Sequence, residues 1–321
     1  MPSGMWREWI ISTQRLESTA MPWQEQLARE TQRILPDLVQ IRRHLHHCPE
    51  LSNAEFETTA YLAEAAERGG LEPRLAADET SDGARHLIAS GAIEPLGAIL
   101  SVHVDPSLAV GTIGLREGVL TAGCDVFSAT IEGRAGHGAR PHLAADPIAA
   151  GAYWIDQAYR QVARGIDVRM APALSVGRLH GGDAANAISD AASLAGTLRT
   201  TAPESREAAI EIMHRVARTA ETLHGVRFTL HFENYTPAVS NDASLVHCLR
   251  AAASGLPAIE QTAEILLPSM GAEDFAFYLQ ELPGAMFRLG TCGGPELAHP
   301  LHSSCFDIDE RAILREGTGA S

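Results

Sequence analysis

Two histidines near the ends of apolar stretches are the residues of this sequence best suited to chemistry. His302 lies in the loop after the predicted core strand 285–290, and open α/β sheets bind their ligands in the loops after their strands. His103 ends the apolar run 98–104, where a partly buried imidazole needs a hydrogen-bond partner or a metal ion. Each has a simpler interpretation, because His302 alone could be a surface histidine and His103 a core histidine.

Acidic pairs could complete such a site. Asp78 and Glu79 are adjacent, so one carboxylate can bind a metal while the other takes a proton from water. The alternative is an acidic cluster that favours the start of a helix near Ala84. For Glu273 and Asp274 the same helix-start interpretation is preferred.

Three further side chains are candidates for substrate contacts. His137 lies between two glycines, where the backbone can approach a ligand closely, and it could donate to a developing oxyanion. Asn186 follows a glycine-rich turn and could bind substrate or only shape the turn. Arg199, on a predicted strand, could pair with a substrate carboxylate or form a structural ion pair.

The elements around His137, Asn186 and Arg199 form one self-contained unit. Hydrophobic periodicity predicts a strand at 124–132, a helix from 146 to about 164, strands at 173–179 and 193–200, a helix at 203–224 and a strand at 226–232. This βαββαβ order is that of the ferredoxin-like fold. We therefore expect an inserted ferredoxin-like α+β domain over residues 124–234.

The flanking segments predict a discontinuous α/β domain made of residues 21–123 and 235–321. Helices are expected at 24–47, 54–68, 84–90, 243–253 and 274–282, and strands at 71–75, 98–104 and 285–290. Residues 1–20 match this pattern poorly, and Met21 precedes an amphipathic helix. We expect residues 1–20 to be a disordered extension and Met21 to be the natural start.

Composition excludes some classes of function. The formal net charge is −15, from 40 acidic and 25 basic residues, which argues against nucleic-acid binding because a phosphate backbone requires a basic surface. Polar residues interrupt every apolar stretch before it reaches membrane-spanning length. The five scattered cysteines form no CxxC or CxxH pair, which favours a reduced, cytoplasmic protein.

Together these residues resemble the M20 metallopeptidase family, especially its N-acyl-amino-acid and hormone-conjugate amidohydrolases. The likeness extends over about residues 24–316 and is carried by seven runs in family order: 41–52, 101–104, 133–142, 181–188, 196–200, 270–275 and 300–303. The resemblance implies an α/β catalytic domain that holds two divalent metal ions, zinc or manganese, and an inserted lid domain that forms a homodimer.

The resemblance also implies roles for individual residues. Glu79, His103 and His302 correspond to metal ligands, and Asp78 stands at the position of the general-base glutamate. His137 resembles the oxyanion-stabilising histidine of the lid, which can act across the dimer. Asn186 and the backbone of Gly271 would line the site for a small N-acyl amino acid or peptide-like substrate.

The sequence departs from the family between residues 73 and 78. Family members have several dozen more residues there, including an Asp-Met-Asp-like run and a His-x-Cys-Gly-His-Asp-x-His run that supply metal ligands. We therefore expect weakened metal binding and a sheet with unpaired edges and exposed apolar faces. Two hypotheses remain: an amidohydrolase of N-acyl amino acids, and an inactive truncated homologue that acts at most as a dimerising module.

Overall fold

The fold is given by a computed structural model, which describes residues 23–50, 55–70, 83–256, 258–294, 296, 299–301, 303 and 305–313. Its helices are α1 Trp23–His47, α2 Phe56–Arg68, α3 Gly83–Ala89, α4 Pro147–Gly165, α5 Pro203–His224, α6 Ala243–Ser254 and α7 Phe275–Glu281. Its strands are β1 Ile99–Ala109, β2 Thr112–Leu115, β3 Gly118–Val119, β4 Gly123–Glu132, β5 Gly136–His137, β6 Ala173–Gly181, β7 Ala187–Ile188, β8 Ala191–Thr200, β9 Arg227–Thr236, β10 Ser240–Asn241, β11 Gln261–Glu264 and β12 Gly284–Cys292. The predicted strand at 71–75 and the extension at 1–20 lie outside the described residues.

The segment from β4 to β9 folds as a ferredoxin-like unit, which we call the lid. Its four long strands form an antiparallel sheet in the order β6-β8-β4-β9, and α4 and α5 pack against each other and against the sheet. This is the βαββαβ topology predicted from the sequence. That the lid forms a dimer stays a prediction.

Local sequence signals explain the two long helices of the lid. The Asp146 carboxylate accepts hydrogen bonds from the amides of Ile148 and Ala149 at the start of α4, which satisfies donors that the helix leaves unpaired. Helix α5 ends at Gly225, whose φ of 67° suits glycine. Between them lies a closed core in which Trp154 is fully buried and donates its indole N–H to the backbone oxygen of Met213.

The main sheet supports His103 and runs in the order β1-β12-β2-β11. Strands β1 and β12 are parallel, in a register that sets His103 beside Arg288. A small core of Leu120, Val239, Phe275, Ala276 and Met286 packs α7 onto this sheet. The segments that precede and follow the lid in the sequence therefore have the α/β fold class that the sequence predicted.

The N-terminal part of the chain packs loosely. None of the side chains of α2 is buried. Among the described residues, β1 lies at one edge of the main sheet. On β1 the apolar side chains of Leu100 and Val102 are 52% and 53% exposed. Exposed apolar faces at this edge were expected from the missing segment.

No helix in the described part of the chain is both long and apolar enough to span a membrane.

The C-terminal end of α1 is held by ion pairs rather than by a core. The guanidinium of Arg43 donates to both carboxylate oxygens of Glu310, at 2.7 and 2.5 Å, and Arg42 pairs with Glu310 and Asp307. Arg43 is the main reason why the pKa of the Glu310 carboxyl lies below its usual value. The contact joins α1 to a short 3-10 helix at Glu310–Ala312.

Candidate active site

The imidazole of His103 has the tautomer that a metal ligand requires. Its Nδ1 atom lies 2.7 Å from the backbone oxygen of Val104. Because a carbonyl oxygen can only accept, Nδ1 carries the proton and Nε2 of the neutral ring presents a lone pair. Metal-binding histidines usually donate their second ring N–H to such an acceptor, which fixes the orientation of the ring.

A carboxylate faces this lone pair. The Oε1 atom of Glu273 lies 3.4 Å from Nε2 of His103, and the two side chains are 25% and 28% exposed. The expected helix start is present, since α7 begins at Phe275 and Asp274 is its N-cap residue, although the Asp274 side chain makes no capping hydrogen bond. The Glu273 side chain extends instead to β1.

The ring of His137 has the opposite tautomer. Its Nδ1 atom accepts a hydrogen bond of 3.0 Å from the backbone N–H of Ala139, so the proton of the neutral ring resides on Nε2. The side chain is exposed, and its Nε2–H is therefore a donor directed away from its own turn. This is the form of histidine that can stabilise a developing oxyanion.

The structure brings His137 and Asn186 together. Strands β5 and β7 pair with His137 opposite Ala187, and the N–H of Gly138 donates to the backbone oxygen of Asn186 at 2.9 Å. A Cβ atom at Gly138 would lie 3.0 Å from that oxygen, which explains the glycine. Both predicted substrate contacts thus belong to one two-stranded edge of the lid, whereas His103 belongs to the main sheet.

Arg199 connects the lid to the loop that precedes Glu273. From β8, its Nη1 atom donates to the backbone oxygen of Met270 at 2.7 Å. The next amide, that of Gly271, donates to the hydroxyl of Ser269 at 3.0 Å. The predicted contacts of Arg199 and Gly271 with substrate stay predictions, because both groups here stabilise the loop.

Arg288 is a candidate that the sequence reasoning missed. It is 7% exposed and stands beside His103 in the register of β1 and β12, and paired positions of adjacent strands direct their side chains to the same face. Its place beside His103 makes Arg288 a candidate to bind a carboxylate. An arginine within an otherwise apolar core strand is the signal that could have identified it.

Three predicted residues, Asp78, Glu79 and His302, lie outside the described residues. Within the described ranges, no three His, Cys, Asp or Glu side chains form a group that could hold a metal ion. The pair of His103 and Glu273 nevertheless supplies one imidazole nitrogen and one carboxylate oxygen, donors that suit zinc and manganese. Two donors are fewer than the three protein ligands of a catalytic zinc site, so the described residues alone do not form one.

Comparison with known proteins agrees with this chemistry. Residues 60–317 match the family described as peptidase family M20/M25/M40. A probable hydrolase of Synechocystis sp. is 32% identical over 376 residues, covering 90% of this chain and 95% of that protein. An N-acetylcysteine deacetylase of Bacillus subtilis is 36% identical over 237 residues, covering 74% of this chain and 60% of that protein.

A solved structure is similar over the same share of the chain. The Bacillus subtilis YXEP protein, described as a dinuclear metal binding peptidase of the M20 family, has 33% sequence identity and a TM-score of 0.59, covering 74% of this chain and 59% of that one. The aligned stretch of the Synechocystis protein is longer than the 321 residues of this chain. Part of that relative therefore has no counterpart here, as the gap in the sequence predicts.

Proposed function

Because the chain belongs to peptidase family M20/M25/M40, we propose that it is a metal-dependent amidohydrolase that cleaves the amide bond of N-acyl amino acids or similar conjugates. The observation that supports this most is the opposite hydrogen bonding of the two Nδ1 atoms: that of His103 faces a carbonyl oxygen, and that of His137 accepts from a backbone N–H. His103 presents a lone pair to a metal ion, and His137 presents an N–H to a developing oxyanion. The similarity to an N-acetylcysteine deacetylase supports the substrate class.

Each of the candidate residues would have a separate role in this reaction. His103 would hold zinc or manganese together with the predicted ligands Glu79 and His302. When bound, the ion would polarise the scissile carbonyl and increase the acidity of water. Asp78 would take a proton from the attacking water and pass it to the leaving amine.

Residues of the lid and of the main sheet would position the substrate. The Nε2–H of His137 would donate to the carbonyl oxygen as negative charge develops on it, either in its own chain or across a homodimer. Asn186 lies beside it and would hydrogen-bond the amide. Arg288, or the remaining N–H groups of Arg199, would bind the substrate carboxylate.

The test is hydrolysis of a panel of N-acyl amino acids by chelator-stripped protein reloaded with zinc or manganese. We expect turnover that a chelator abolishes, loss of activity in His103→Gln, and a roughly 10²–10³-fold lower kcat in His137→Gln. His180→Gln, which changes an exposed histidine of β6, is the control and should retain activity. Absence of chelator-sensitive turnover throughout the panel would refute the proposal.

The uneven packing favours a second candidate, an inactive homologue that acts as a dimerising module. The lid has a closed core around Trp154, whereas α2 buries no side chain. This candidate expects a homodimer that binds metal poorly, and a 124–234 fragment that folds and dimerises alone. Sedimentation of the full chain and of the fragment tests both points, and an unfolded fragment would contradict this candidate.

For either candidate we propose a cytoplasmic location, which the five free cysteines support.

A further inference from the structure

We propose that Arg140 binds a second carboxylate of the substrate, so that this chain prefers N-acyl derivatives of dicarboxylic amino acids, such as an N-acyl glutamate. The inference rests on the proposed function and narrows its substrate class. It is carried by the turn that joins Arg140 to His137, by the unpaired Arg140 guanidinium in the described part of the chain, and by the charge of the surrounding segment.

A tight turn fixes Arg140 next to His137. The N–H of Arg140 donates to the backbone oxygen of His137 at 2.7 Å, which closes a β-turn and holds the two Cα atoms within about 7 Å of each other. On the other side, the backbone oxygen of Arg140 accepts from the amide of Leu143 in the 3-10 helix Pro141–Leu143. The main chain therefore sets the position of Arg140 relative to His137. Wherever His137 contacts substrate, in its own chain or across a homodimer, Arg140 lies beside it.

The Arg140 guanidinium is available to a ligand. Arg140 is exposed, and within the described ranges its side chain has neither a hydrogen-bond acceptor nor an ion-pair partner. Even Asp183, an exposed acidic residue in the segment that leads to Asn186, does not pair with it. Arg134 differs, since its Nε atom donates to the backbone oxygen of Leu143 at 3.0 Å and so stabilises the same loop. The fold thus uses the guanidinium of Arg134 but not that of Arg140.

The segment around Arg140 is basic although the chain is strongly acidic. Residues 133–145 include no acidic residue, whereas the whole chain has a net charge of −15. The arginines and histidines of this segment are Arg134, His137, Arg140 and His142. The flanking carboxylates have other partners, because Glu132 pairs with Arg227 and Asp146 caps α4. A negatively charged substrate is therefore attracted to this edge of the lid and repelled by most of the remaining surface.

The position of Arg140 distinguishes its carboxylate from the one next to the scissile amide. That α-carboxylate would be bound by Arg288, in the main sheet, or by Arg199, at the loop of Met270. Arg140 lies instead at the exposed lid edge, where its long side chain reaches the more distant part of a substrate whose carbonyl oxygen His137 binds. A planar guanidinium holds a carboxylate through two parallel hydrogen bonds. The side-chain carboxylate of an N-acyl glutamate offers this geometry and the complementary charge.

The experiment measures kcat/KM for N-acetyl-L-glutamate and N-acetyl-L-glutamine, which are nearly equal in size and differ in one charge. The full-length proteins, reloaded with zinc or manganese, are wild type, Arg140→Gln, Arg140→Lys and Arg164→Gln. Arg164 is an exposed arginine in the last turn of α4, about 25 Å along the helix from its first residue, so its variant loses the same charge away from His137. Calorimetry measures binding of both compounds, and thermal unfolding verifies folding.

We expect wild type to favour N-acetyl-L-glutamate by about 10-fold or more in kcat/KM, the effect of a hydrogen-bonded charge pair. Arg140→Gln should abolish this preference. Arg140→Lys should retain part of it, because an ammonium group keeps the charge but not the two parallel hydrogen bonds. Arg164→Gln should match wild type. Every variant should unfold at the wild-type temperature, because the Arg140 side chain makes no contact that stabilises the described fold.

Equal hydrolysis of the two compounds by wild type, or an Arg140→Gln variant that keeps the preference, would overturn the proposal. An equal loss for both compounds in Arg140→Gln would also overturn it, because only a role at the shared α-carboxylate or in the fold explains that result. If no N-acyl amino acid is hydrolysed, the proposed function fails and calorimetry alone decides. Preferential binding of N-acetyl-L-glutamate that Arg140→Gln abolishes would then leave the inference standing, and equal or no binding by wild type would contradict it.

Discussion

The ion pair between Asp125 and Arg206 supports a quantitative prediction about the stability of the lid. The Asp125 carboxylate is 1% exposed and accepts two hydrogen bonds from Arg206, at 2.8 and 2.6 Å. The same guanidinium lies 4.1 Å from the ring centre of Tyr235. Arg206 therefore joins α5 to the first residues of β4 and to the end of β9.

Arg206→Gln removes the partner of a carboxylate that cannot reach water. Breaking a buried pair in this way costs about 3–5 kcal/mol, because it leaves an uncompensated charge. Asp125→Asn should cost less, since the Arg206 side chain is 28% exposed and can be hydrated. The double variant should then be about 2 kcal/mol or more less destabilised than the sum of the single variants.

The assay is urea unfolding of the full chain followed by the near-UV circular dichroism of the buried Trp154, with linear extrapolation of the free energy of unfolding. Arg160→Gln is the matched control, because Arg160 and Asp156 form a pair on the same domain with side chains 67% and 51% exposed. Its cost should be at most about 0.5 kcal/mol. A coupling energy near zero between Asp125 and Arg206 would show that the pair is hydrated and would refute the reasoning.

Three further predictions concern the lid. Gly196→Ala should lower the free energy of unfolding by at least about 1–3 kcal/mol, because its Cβ atom would overlap the backbone of β6; Gly177→Ala, which meets nothing within 4 Å, is the control in thermal unfolding. Burial raises the pKa of the Cys124 thiol, so iodoacetamide at pH 8 should modify it more slowly than the exposed Cys48, as mass spectrometry of the peptides can verify. Burial also raises the pKa of Tyr235, so the contribution of Tyr235 to stability should hold up to about pH 10 and be lost above it, because the unfolded chain ionises first. Urea unfolding at pH 9–11 should show a smaller fall in Tyr235→Phe than in wild type.

Long periodic elements could be predicted from the sequence, and short ones could not. Helices α1, α4 and α5 and the long strands of the lid occur where periodicity places them. Strands β2 and β11 have four residues each, and so short a run is consistent with several secondary structures. Strand β1 was expected to end at residue 104, but it continues past an irregularity in its pairing to Ala109.

The candidate site shows a similar division. His103 could be identified because a polar residue in an apolar strand is conspicuous. The contact between His103 and Glu273 could not, because it joins residues far apart in the sequence and depends on how α7 packs against β1. The preference for a helix start at Glu273 was locally reasonable, since α7 does begin at Phe275, but tertiary structure determines where the side chain points.

Among the described strands, β1 has an outer edge that no other strand covers, and such an edge can pair with a second molecule in concentrated solution. Edge strands are usually protected from pairing with another molecule by charged side chains, lysine above all, and this sequence contains no lysine. From Ile99 to Val104 the strand has no acidic or arginine side chain either. Colloidal stability then rests on the net charge of −15, which repels molecules from one another only over the Debye length, about 10 Å at 0.1 M salt. The protein should therefore remain monodisperse in dilute buffer of low ionic strength and precipitate as salt is added.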